Sequence, residues 1–204
     1  AGWARVHTVD EYAVSPEAPG SVSLWGSAPQ WLPHFYDRGL SQVNQDEARE
    51  RLGLETGCRW IGSAGDLGPR KGTVLLIDSF ARTQPTPETR LALFGGLSGA
   101  AHAALARHED LVNQGLITVQ DRFVTDQEFL DFFPAMDVVW AAYPWQVGMA
   151  STLLFAADAG RPVLAIDYGS VGWMVRRYGL GTVWSRSEEA LTGAIRSALG
   201  PKPS

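Results

Sequence analysis

The rhythm of apolar and polar positions changes at about residue 44. Before it the chain carries Pro16, Pro19, Pro29 and Pro33 with no sustained period, so residues 1–44 read as a loop-rich lead-in with at most short strands such as Ser21–Trp25. Its aromatic residues Trp25, Trp31, Phe35 and Tyr36 need burial, which predicts a segment wrapped on the main body. From Gln45 the pattern is regular. QDEARERLGL predicts a short polar helix ending at Gly53. Apolar runs of strand length follow at Arg59–Ser63, Arg90–Phe94, Leu116–Gln120, Val138–Ala142 and Val163–Ile166, with a weaker one at Thr182–Trp184. Between them the spacing predicts helices over Gly72–Arg82, Gly99–Gln114, Gln127–Ala135, Ala150–Ala159, Val171–Tyr178 and Glu188–Leu199. The alternation predicts a doubly wound, mostly parallel α/β sheet over residues 45–204. A chain of 204 residues has room for one principal core.

Composition narrows the function classes. With 45% apolar and 19% charged residues and no apolar run near 18 residues, the chain reads as globular, without an integral membrane segment. AGWARVHTVDEY lacks the basic leader and apolar core of a signal peptide. The single cysteine, Cys58, opens a strand-like run and reads as a buried thiol in a reducing, cytoplasmic setting. A net charge of −5 with interspersed signs argues against a nucleic-acid surface. His7, His34, His102 and His108 show no ligand spacing and Asp-x-Asp is absent, so neither a metal nor a cofactor is expected. Glu188 and Glu189 read as dipole-matching acids and Asp137, at a strand entrance, as a structural hydrogen-bond acceptor.

In doubly wound sheets ligands sit beyond the carboxyl ends of the strands, which directs attention to two loops. The first strand runs into GSAGDLGPRKG, Gly62–Gly72. Its Gly-x-x-Gly-x-x-Gly spacing fits neither a dinucleotide fingerprint nor a phosphate-loop NTPase. What remains is a glycine-rich turn with Arg70 and Lys71 at a helix start, readable as an anion site or as a solvated turn. Lys71 and Lys202 are the only lysines, so Lys71 has no nearby substitute. The fourth strand runs through Gln146, Val147, Gly148 and Met149 into a helix opening on Ala150, Ser151 and Thr152. Small and hydroxyl side chains there suit a helix end that receives a diphosphate; a plain capping role for Ser151 is the alternative. LLFAADAG, apolar nearly all round, predicts a helix sandwiched between the sheet and other helices.

Taken in order, GDLGPRKGTVLLIDSFA, RLALFGG, FVTDQEFLDFFPAMDVVWAAYP and GMASTLLFAADAGRPVLAIDYGSVGWMV…GLGTVW resemble the C-terminal, donor-binding half of retaining GT-B glycosyltransferases of the family-4 type, over roughly Glu47–Trp184. The resemblance implies a Rossmann-like half domain holding a nucleotide-diphosphate sugar, usually without a metal. Lys71 falls on the family's phosphate-binding lysine and Gly65 opens its loop; Gly148, Ser151 and Thr152 fall on the segment that contacts sugar and phosphates. Asp167–Gly169 match a glycine-rich turn beside the donor. The candidate binding set is therefore Gly65, Arg70, Lys71, Gly148, Met149, Ser151 and Thr152, with no catalytic residue assigned.

The chain also departs from that pattern. Asp66 stands where the family carries an arginine, an anion where an anion should bind unless it turns away or pairs with Arg70. Val147 and Phe155 occupy the positions of two glutamates, one contacting sugar and one ribose; Gln146, one residue off register, supplies no carboxylate. The acceptor would be held by an N-terminal half or a second subunit, and 44 irregular residues cannot build one, so this chain alone is expected not to turn over appreciably. The alternative is a catalytically degenerate domain acting as a structural or protein-interaction module, with Trp145 and Trp173 as exposed anchors around a former cleft.

Overall fold

The computed structural model describes residues 7–8, 30–31, 43–144, 146, 148–185 and 187–200. The Ser21–Trp25 strand and the packing of the lead-in fall outside the described residues; within the lead-in β1 (His7–Thr8) and β2 (Gln30–Trp31) pair in parallel.

Six short apolar runs form one sheet: β3 (Arg59–Ala64), β4 (Thr89–Phe94), β5 (Ile117–Gln120), β6 (Val138–Ala141), β7 (Val163–Ile166) and β8 (Gly181–Trp184). All pairs are parallel and the order is β5-β4-β3-β6-β7-β8. Strands covered on both faces read as continuous hydrophobic runs, and β6 and β7 are buried at every position. The order reverses between β3 and β6, which lie side by side at the centre with Ile61 opposite Val138 and Gly62 opposite Val139. That reversal opens a crevice beyond the strands' carboxyl ends.

The helices are α1 (Gln45–Leu52), α2 (Thr73–Arg82), α3 (Gly99–Arg107), α4 (Glu109–Asn113), α5 (Asp126–Ala135), α6 (Ser151–Asp158), α7 (Gly169–Tyr178) and α8 (Glu188–Ala198). Local chemistry sets several ends: Asn44, Ser98, Thr125 and Ser187 accept first-turn amides, and Thr125 with Glu128 closes a reciprocal capping box. Trp60, Trp140, Phe80, Phe94 and Phe132 fill the core. Cys58 is buried and free, as its position in the sequence predicts. Asp137 accepts the Trp60 amide at 2.7 Å and Arg49 Nη2 at 2.7 Å, while Arg49 Nε donates to the Ala135 carbonyl at 2.9 Å. This buried pair pins α1 beneath the sheet, far from the crevice. Removing one partner would strand the other's charge, at a cost of about 3–5 kcal/mol. Among the described residues no helix is long and apolar enough to cross a membrane.

Three sequence expectations need correction. The run Gly99–Gln114 is two helices, broken at His108 (φ −124°, ψ 34°), whose Nε2 lies 2.9 Å from Asp78 Oδ1 on α2. A tertiary contact therefore bends a segment whose periodicity is unbroken. Helix α6 is not enclosed all round: Leu153 and Ala156 are buried, Leu154 and Phe155 half-buried, and Ser151, Ala157 and Asp158 exposed. Alanine reads as apolar but brings little area to cover. Trp173 is buried, with its ring edge-on to Tyr178, so it is no exposed anchor, and Trp145 lies outside the described residues.

Candidate functional site

The adjacency of β3 and β6 brings the two loops singled out in the sequence to one place. The first is fastened by backbone bonds, with Asp66, Pro69 and Arg70 exposed. Gly65 N donates to the Phe94 carbonyl at 2.8 Å, Leu67 N to the Gly96 carbonyl at 2.9 Å, and Leu67 and Gly68 are buried. A single 3-10 turn, Pro69–Lys71, then leads into α2. Gly72 joins the two at φ +63°, and a Cβ there would meet the Ala142 carbonyl at 2.9 Å and Pro144 Cδ at 3.0 Å. Only a residue without a side chain lets the second loop lie this close.

Lys71 is buried in this niche, its ammonium turned back onto the Ala64 carbonyl and lying 5.8 Å from the centre of the Tyr143 ring. Trp140 Nε1 donates to the Lys71 carbonyl at 2.7 Å, fixing the backbone from β6. Burial lowers the Lys71 pKa from 10.5 to about 8; the neighbouring Arg70 charge adds to the shift and Asp66 opposes it. An ammonium has three donors, and among the described residues one carbonyl takes one of them. The arrangement is suited to an anion, whose arrival would stabilise the charged form.

The second loop is held by side chains. Arg70 Nη1 donates to Gln146 Oε1 at 3.0 Å, and Gln146 Nε2 donates to the Met149 carbonyl at 2.8 Å. Tyr143 and Thr152 share a hydroxyl–hydroxyl bond of 2.7 Å. Helix α6 starts after Ala150 with no side-chain cap, and Ser151 is its exposed first residue, so the capping role is not what Ser151 does. Leu153 N already donates to the Ala150 carbonyl at 3.0 Å, so among the described residues the Ser151 and Thr152 amides are the first-turn donors left for solvent or a ligand. Gly148 is exposed and Met149 half-buried on the same approach. Asp167 pairs with Arg176 on α7, beside Gly169. Val147 lies outside the described residues.

A cavity of about 450 Å³ opens on the other side of Gly65, lined by Asp66, Gly95, Gly96, Phe123, Val124, Asp126 and Phe129. A Cβ on Gly65 would stand 3.1 Å from Lys71 Nζ and 3.8 Å from Phe129 Cε2, so the niche and the cavity meet at that glycine. Asp66 does not pair with Arg70, whose guanidinium goes to Gln146; it stays exposed on the cavity lining. Phe155 does not line this cavity. It stacks on Phe133 (5.1 Å) and meets Phe129 edge-on (5.2 Å), forming part of the wall behind it. Tyr143, Trp140 and the cavity residues other than Gly65 and Asp66 are not marked as site residues by the sequence motifs. Their signals were modest: aromatics ending a buried strand, and Phe123, 91% exposed, just past β5. Among the described residues no group of histidine, cysteine and carboxylate side chains gathers to hold a metal.

Comparison with known proteins agrees with this architecture. Residues 58–200 match the model of the family described as glycosyl transferases group 1. The lipopolysaccharide core biosynthesis mannosyltransferase LpsB of Rhizobium meliloti (strain 1021) is 30% identical over 178 residues, 84% of this chain and 47% of that protein. Among solved structures, WaaG, a glycosyltransferase involved in lipopolysaccharide biosynthesis, superposes with a TM-score of 0.70 at 23% identity, over 86% of this chain and 48% of its own. Anabaena Alr3699/HepE, solved in complex with UDP and glucose, gives 0.62 at 20% identity, over 83% and 47%. The chain thus spans about half the length of these relatives. The match over most of its described body, together with the six-stranded parallel sheet, makes this chain a member of the glycosyl transferases group 1 family with the fold of a C-terminal-type GT-B half.

Proposed function

We propose that this chain is the donor side of a glycosyltransferase: it binds a nucleotide-diphosphate sugar for transfer to an acceptor held by a second domain or subunit. The observation that carries the reading is the convergence at the β3/β6 reversal of a buried ammonium with spare donors and an uncapped helix start. In this reading the diphosphate lies between the Gly65–Lys71 turn and the start of α6, contacted by Lys71, Arg70 and the amides near Gly148, Met149, Ser151 and Thr152. The nucleoside extends over Gly65 into the cavity, where Phe123 offers a flat aromatic face to the base. UDP bound to the structurally similar HepE supports this ligand class.

The relatives are about twice as long as this chain. A single wall of the cleft does not position an acceptor, so the chain alone is proposed to bind donor and to turn over little. Retention of anomeric configuration and a cytoplasmic setting belong to the same proposal. Titration of the folded chain with uridine, guanosine and adenosine diphosphates by calorimetry tests it. Binding of at least one at millimolar concentration or below is expected; no heat with any of them contradicts it.

Phe155 favours a second reading, a degenerate domain that serves as a structural or interaction module. Its ring belongs to an aromatic cluster with Phe129 and Phe133, and it has no carboxylate to offer a sugar or ribose. The same titration separates the two.

A further inference from the structure

We infer that Asp66 is a nucleoside-selecting residue, accepting hydrogen bonds from the ribose hydroxyls and so favouring ribonucleoside over deoxyribonucleoside diphosphates. This rests on the donor-site reading above and adds a specificity that reading does not contain.

Asp66 directly follows Gly65, the residue at which the Lys71 niche meets the cavity. Asp66 lines that cavity, its Oδ1 would stand 3.6 Å from a Cβ on Gly68, and it makes no hydrogen bond or ion pair among the described residues. Arg70, the cation nearest in sequence, is engaged by Gln146. Asp66 lies near enough to Lys71 to favour the charged ammonium without pairing with it. Leu67 N bonded to the Gly96 carbonyl, and Leu67 buried at 0% exposure, hold this part of the loop in place.

An ionised carboxylate only accepts hydrogen bonds. Toward a phosphate it is an obstacle, so in a nucleotide site it serves only groups that donate. In a nucleoside diphosphate the group joined to the phosphates is the ribose, whose two vicinal hydroxyls match the two oxygens of one carboxylate. An acidic residue taking ribose hydroxyls is known chemistry in doubly wound sheets. The order along the site agrees: ammonium, glycine, carboxylate, then a cavity walled by Val124, Phe123 and Phe129 for the flat base. The other carboxylate on the lining, Asp126, is the first residue of α5, where it complements the helix dipole.

The test compares each nucleoside diphosphate of uridine, guanosine and adenosine with its 2′,3′-dideoxy counterpart, by calorimetry on the 204-residue chain, on Asp66→Ala and on Asp126→Ala. Both members of a pair carry the same diphosphate, so any repulsion from Asp66 cancels in the ratio of affinities. The expected ratio for the unsubstituted chain is roughly tenfold or more, the size of one hydrogen bond to a charged group. It should fall to about one in Asp66→Ala and persist in Asp126→Ala. Asp66 is exposed and unpaired, so the substitution should leave the thermal midpoint unchanged. A ratio near one in the unsubstituted chain, or one that survives in Asp66→Ala, overturns the inference while nucleotide binding still stands. Failure of every diphosphate to bind sinks the donor-site reading, and this inference with it.

Discussion

The two loops at the centre of the sheet are built differently. The one after β3 is locked by backbone: Gly65 and Leu67 bond to the β4 side, Gly72 fits only as glycine, and Lys71 is clamped between its own carbonyl neighbour and Trp140. The one after β6 is attached by side chains, exposed Arg70 to half-buried Gln146 and buried Tyr143 to half-buried Thr152, and ends in a helix with no side-chain cap. In the proposed site the locked half carries the charge, and the adjustable half, held by side chains, carries the uncapped helix start. Pre-organising the charged side lowers what must be ordered on binding.

The largest expected effect breaks the locked half. Gly95 ends β4 at φ +134°, and a Cβ there would overlap the Gly65 carbonyl, whereas adjacent Gly96 has open space around it. Gly95→Ala should therefore lower unfolding stability by about 3 kcal/mol or more, and Gly96→Ala by no more than about 0.5 kcal/mol, by chemical denaturation. Next comes the charge. Lys71→Glu should weaken diphosphate binding by about 1.5–3 kcal/mol or more in a calorimetric titration; unchanged affinity would remove Lys71 from the site.

The proposed role of Lys71 in binding is also linked to folding. The folded chain holds its proton less tightly than the unfolded chain, so burial of the charge costs stability below pH 8, and that cost is withdrawn as pH rises from about 8 toward 10.5. Lys71→Met should thus raise stability at pH 7 by about 1–3 kcal/mol while weakening diphosphate binding, a stability–function opposition confined to one side chain. The smallest effect belongs to the adjustable half: Gln146→Ala should change affinity and stability by less than about 1 kcal/mol each, because the Arg70–Gln146 bond is exposed. A larger loss would mean that the second loop is as rigid as the first.

The contrast between the halves also marks how far the sequence could be read. Strands β3 to β8 and most helices follow from runs of apolar residues, because local pattern and burial agree there. The doubly wound, parallel character follows from alternation, since parallel strands need helical crossovers, whereas the strand order comes from the structure. What escaped were contacts between distant residues. His108 breaks a helix through Asp78, 30 positions away. Arg70 bypasses nearby Asp66 for Gln146, 76 positions away. Trp173 lies under its own helix instead of at a surface. For the candidate site, the positions of Lys71 and Gly65 were legible because glycine spacing and a lone lysine are local signals. The cavity beside them was not, since its lining comes from the ends of three strands.

The central claim is that Lys71 meets the diphosphate as an ammonium whose charge is disfavoured until the ligand arrives. Calorimetry at pH 8.5 in two buffers of different ionisation enthalpy measures it directly, as protons taken up per nucleotide bound. With a free pKa of about 8 and an ordinary lysine value in the complex, uptake should be about 0.7 proton per site, and close to zero in Lys71→Met. Binding with no proton uptake by the unsubstituted chain would contradict the account.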